Sequence, residues 1–142
     1  MTRMIETDKD LPPRASAQKL KWSRRWLAAF LVLIVALTHM PNLGTQRLES
    51  GHYDKVAHFT LYAVLAALAL RTVTLGFSST SAVVRCVGVL AAVAAFGLLD
   101  EATQPLTARD FDWFDWLADN IGVVVGIVSY ELLRRSRPPS DL

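Results

Sequence analysis

Apolar stretches recur along this chain at lengths that a soluble domain of 142 residues could hardly bury. A helix crossing the hydrocarbon core of a bilayer needs about 20 mostly apolar residues. Four stretches qualify: Trp22–Met40, Val56–Leu75, Ser81–Leu99 and Trp113–Leu133. The expected fold is therefore all-α, a bundle of four transmembrane helices over residues 22–133. The hydrophobic share of 52% and the mean hydropathy of +0.30 agree with a membrane setting. Lys55, Arg71 and Arg85 stand near span ends, where their aliphatic stems can follow the helix and their charges reach the headgroups.

Orientation follows from the basic residues flanking the spans. Arg14, Lys19, Lys21, Arg24, Arg25, Arg71, Arg85, Arg134, Arg135 and Arg137 fall on one side, ten against the three on the other, Arg47, Lys55 and Arg109. Lys and Arg accumulate in cytoplasmic loops, so both termini of a multi-pass protein are expected in the cytoplasm. Residues 1–21 read as a flexible tail whose basic half favours an anionic leaflet, and 134–142 read as a second tail. "VALTHMPNL" offers no small-x-small cleavage site, so the first span is expected to stay uncleaved. The single cysteine, Cys86, excludes an intrachain disulfide and any cysteine-clustered zinc site. A net charge of +2, with basic residues already explained by topology, argues against nucleic acid as a partner.

Charge inside such apolar runs is costly, and "HYDKVAHFTLY" opens the second span with it. Asp54 and His58 are spaced i,i+4 and Tyr62 continues the stripe, stacking carboxylate, imidazole and phenol on one helical face. The plain interpretation has Asp54 capping the helix and His58 bonding a neighbouring helix. Lys55 lies about a quarter turn away and can point to water.

The third span delivers further polar residues to the same outer face through "LLDEATQPLTARDFDWFDWLADNIG". Glu101 and Gln104 share a face, closed by Pro105. Arg109 is this loop's only cation, among Asp100, Glu101, Asp110, Asp112, Asp115 and Asp119, and is expected to pair with a carboxylate. Asp112, Asp115 and Asp119 form an i, i+3, i+7 stripe that runs into Gly122 and Gly126. Glycines four apart let a second helix approach closely, which turns the acidic stripe toward protein rather than lipid.

Together "DKVAHFTLYAVL", "EATQ" and "RDFDWFDWLADNIGVVVG" resemble the successive signatures of the VanZ-like family of small bacterial membrane proteins. The resemblance runs from about Tyr53 to Gly126 and carries Asp54, Lys55, His58, Glu101, Gln104, Arg109, Asp112, Asp115, Gly122 and Gly126. Asp119 stands where many relatives have Asn, adding a carboxylate. The resemblance implies an envelope role linked to resistance to glycopeptides of the teicoplanin type.

Three function classes fit these residues. The first is a binding or accessory protein whose outer pocket engages an envelope lipid or a glycopeptide, with Arg109 as anion contact and Trp113, Phe114 and Trp116 as interfacial surface. The second is a membrane-embedded enzyme acting on such a lipid, with His58 as general base and the acids holding a divalent cation. No nucleophile or metal motif is complete in the sequence. In the third class the polar cluster only orders a scaffold. A transporter is less favoured, since such proteins hold their sites near the bilayer midplane rather than at one face.

Overall fold

The computed structural model describes residues 13–39, 51–107 and 111–136. Four α-helices account for nearly all of them: α1 (Pro13–Thr38), α2 (Gly51–Gly76), α3 (Ala82–Thr103) and α4 (Trp113–Ser136). A single 3-10 turn, Gln104–Thr107, follows α3. Among the described residues there are no strands, in keeping with the all-α expectation.

Three of the helices are long and apolar enough to cross a membrane: α2 from Asp54, α3 together with its 3-10 extension, and α4. The expectation of four such helices does not hold for α1 on length and composition. An 18-residue stretch ending at Thr38 still contains Lys21, Arg24 and Arg25, which leaves its uncharged part short within the helix. The helix also starts earlier than the apolar run does. Pro13 occupies the first helical position, where its missing N–H costs nothing, and Ala15, Gln18, Lys19 and Lys21 are good helix formers. Residues 13–21 thus continue the first helix, whereas 1–12 and 137–142 of the expected tails lie outside the described residues.

α2 is the central element, touching all three others, with its largest contact on α4. The core lies along it: Tyr62, Leu65, Ala66 and Leu70 are buried against Ile34 of α1, Val89 and Val93 of α3 and Val123 of α4. Glycine permits the α2–α4 contact. At Gly122 a Cβ would collide with the Phe59 carbonyl, its carbon only 3.0 Å away, and at Gly126 with the Ala63 carbonyl, its carbon 2.9 Å away. Only a hydrogen fits in either place. Outward faces carry Val83, Leu99, Val128 and Leu132, all exposed, as lipid-facing surfaces are.

α1 is fastened to the other helices by side-chain hydrogen bonds from its middle and its C-terminal end. Ser23 Oγ lies 2.8 Å from Thr72 Oγ1 of α2, and Thr38 Oγ1 donates to Asp100 Oδ1 of α3 at 3.0 Å. At the end of the bundle that holds Ser23, the Arg85 guanidinium donates to the carbonyls of Phe77 and Thr80, and Arg134 pairs with Glu131 at 2.9 Å.

Candidate functional site

The start of α2, the end of α3 and the start of α4 meet at one end of the bundle. Each helix arrives there with local polar chemistry of its own. Asp112 caps α4: its Oδ1 accepts from the Phe114 N–H at 2.7 Å, and its carbonyl accepts from the N–H groups of Asp115 and Trp116. The last turn of α3 tightens into the 3-10 turn, where Gln104 Nε2 donates to Glu101 Oε1 at 2.7 Å. α2 begins at Gly51, so Asp54 stands in the first turn rather than at the cap position anticipated for it.

His58 is the hub of this end. Its Nδ1 lies 3.0 Å from Asp119 Oδ1 and 3.7 Å from Glu101 Oε1, joining α2 to both α4 and α3. All three residues are buried, His58 at 3%, Glu101 at 0% and Asp119 at 1% exposure. Glu101 is further fixed by the Asp112 N–H, which donates to its Oε2 at 3.3 Å. An i,i+4 face on α2, an i,i+3 pair on α3 and an i,i+3,i+7 stripe on α4 thus close on one point.

Lys55 stays partly exposed and is nonetheless held by protein. Its Nζ donates to Asp112 Oδ2 and to Asp115 Oδ1, both at 2.9 Å, so it bridges two carboxylates of the stripe. The four-carbon stem carries the ammonium across to the start of α4, where the buried Asp115 needs a counter-charge. The Lys55 ammonium and the Phe114 N–H hold the Asp112 carboxyl below its ordinary range. Arg109, expected as the loop's cation, lies outside the described residues. Of the aromatic trio, Trp113 and Phe114 are exposed, while Trp116 turns inward and its Nε1 donates to the Ala94 carbonyl of α3 at 3.3 Å.

Sequence reasoning gave Asp100 no role of its own, yet a second polar cluster forms around it beside the first. Asp100 is buried, accepting from Thr38 Oγ1 at 3.0 Å and from Tyr62 OH at 3.3 Å. His39 Nδ1 stands 3.6 Å from the same carboxylate, and its Nε2 lies 3.0 Å from Thr103 Oγ1. Gly97, one turn before Glu101, also escaped notice. A Cβ there would lie 3.0 Å from the Tyr62 ring and 3.3 Å from Asp119 Oδ2, so its absence makes room for both.

Among the described residues, two groups of donors lie close enough to hold a metal ion, Asp54–His58–Asp115 and His58–Glu101–Asp119, each with one ligand atom per residue and all within 4.8 Å. They share His58.

The VanZ/LLP1 family model matches residues 10–134, a span that includes the whole of this end and all four helices but for the end of α4 after Arg134. The chain belongs to the VanZ-like family. No curated protein and no solved structure matches it. In this VanZ-like chain the three signature stretches of the sequence are the three helix ends that meet around His58.

Proposed function

We propose that this VanZ-like protein is an envelope-associated binding or accessory protein of the bacterial cytoplasmic membrane. Its polar end faces outward and engages an envelope lipid or a glycopeptide. In this reading α1 crosses the membrane with the other three helices and both termini are cytoplasmic. The ten-to-three basic asymmetry supports that orientation, since it leaves Arg71, Arg85, Arg134 and Arg135 at the inner ends of their helices. A first helix extended by Lys19, Lys21, Arg24 and Arg25 is compatible with crossing, because basic residues at an inner helix end reach the anionic headgroups.

The observation that carries the reading is the convergence of buried polar groups from three helices on His58 at one end of an otherwise apolar bundle. Ionisable side chains at membrane depth are expensive to place, and they mark functional sites. The aromatic surface of Trp113 and Phe114 beside it suits a ligand resting at the headgroup level.

Expression in a susceptible bacterial host tests the function. The chain is expected to lower susceptibility to teicoplanin relative to the same host with an empty vector, and unchanged susceptibility would remove the glycopeptide reading. Orientation is tested separately with a cysteine introduced at Thr107 in a Cys86→Ala background. A membrane-impermeant thiol reagent is expected to label it from outside intact cells, and labelling only after the inner face is opened would invert the topology.

A further inference from the structure

We infer that His58, Glu101 and Asp119 form a binding site for a first-row divalent transition-metal cation, of the Zn²⁺ or Mn²⁺ class. This inference deepens the outer-face reading given above and rests on it for biological meaning. The chemistry rests on the three side chains alone.

One imidazole nitrogen and two carboxylate oxygens, from three different helices, lie within 4.8 Å of one another and are almost wholly buried. Mixed nitrogen and oxygen donors of this kind suit first-row divalent ions, with imidazole favouring Zn²⁺ and carboxylate favouring Mn²⁺. Buried acids alone would not make the case. Asp119 adds an independent observation: it is 1% exposed, and its Oδ2 is buried with no hydrogen-bond partner. That oxygen lies between α3 and α4, in the space left by the missing side chain of Gly97, one turn from Glu101. An unpartnered carboxylate oxygen in such a place costs stability unless a cation or proton meets it.

Charge and orientation point the same way. Among the described residues at this end, Lys55 is committed to Asp112 and Asp115, and His58 is the basic group that touches Glu101 and Asp119. The ligands are also held from behind, as metal ligands are: Gln104 and the Asp112 N–H fix the two oxygens of Glu101. Ligation through Nδ1 requires that nitrogen without its proton, so binding to an imidazole protonated there releases that proton. The second donor group shares the same imidazole and reaches the surface at Asp54, which is exposed.

The test uses the full chain, freed of any affinity tag, purified in detergent, stripped with chelator and dialysed against Zn²⁺ or Mn²⁺. Elemental analysis is expected to return about one ion per chain, and titration calorimetry about tenfold or more weaker binding in Asp119→Asn and His58→Ala. Glu131→Gln, an acid at the opposite end, is expected to bind as the wild type does. A wild-type chain that returns from dialysis without metal overturns the site, and that measurement does not depend on any variant folding. So does equal binding by the wild type, Asp119→Asn and His58→Ala. The two readings separate in the teicoplanin assay. Metal bound at the triad by a wild-type chain that leaves susceptibility unchanged keeps the metal site and removes the functional reading. Susceptibility lost in Asp119→Asn, with no metal bound by the wild type, does the reverse.

Discussion

A chain carrying Gly126→Leu is expected to give a small fraction of the wild-type folded yield in detergent. The cause is backbone contact rather than side-chain crowding. The first carbon of any side chain at this position would overlap the Ala63 carbonyl of α2, whose carbon lies 2.9 Å away and whose Cα lies 3.0 Å away. No rotamer relieves a clash at Cβ, so the helices must separate, and α2–α4 is the largest helix contact in the bundle. The loss is about 3 kcal/mol or more, at the upper end of what overpacking costs. Separation there would also pull Asp119, one turn before Val123, away from His58. Monodisperse yield and melting midpoint measure the effect together, and wild-type values for both would show that the close approach is not required.

The second large effect is on function. His58→Ala is expected to abolish the change in teicoplanin susceptibility while the protein still inserts and folds. Removing the imidazole leaves Asp119 and Glu101 buried without the group that joins them, a cost of about 1–3 kcal/mol. The core beneath, from Leu65 to Leu70 on α2, keeps its packing, and Tyr62 loses only the imidazole stacked on its ring at 6.4 Å between centroids. Glu101→Gln keeps the shape of the side chain and removes its charge. One of its two terminal atoms then becomes an N–H donor facing either Gln104 Nε2 or the Asp112 N–H, both of which donate. It is expected to lose the susceptibility change as well.

The elements around His58 were legible in the sequence because their periodicity is local. Asp54, His58 and Tyr62 share a face by helical geometry alone, as do Glu101 with Gln104 and Asp112 with Asp115 and Asp119. Gly122 and Gly126 were legible as a seam for the same reason. What escaped depends on the arrangement of helices in space. Asp100 neighbours Glu101 in the chain and points about 100° away from it. Both are buried only because α3 has α1 and α2 on one flank and α4 on the other, which no spacing within α3 reveals. Lys55 could be given to water because it lies off the Asp54–His58 stripe; the two carboxylates that hold it stand at the start of α4, 57 and 60 residues further on. The early start of α1 was missed because residues 13–21 carry no apolar stripe, and their helix rests on propensity and on Pro13 at its first position.

The central claim is that the groups around His58 form a site and do not serve only to clasp three helices. Susceptibility and melting midpoint measured on the same His58→Ala protein test it most directly, with Ser23→Ala as the companion. Ser23 is fully buried and hydrogen-bonded to Thr72 at the opposite end, so its replacement costs stability, by about 1 kcal/mol, without touching the site. The expected result is that Ser23→Ala keeps the susceptibility change in proportion to its folded, inserted protein, while His58→Ala loses it altogether at comparable folded levels. Susceptibility that tracks the amount of folded protein in both variants would contradict the claim and leave His58 a structural clasp.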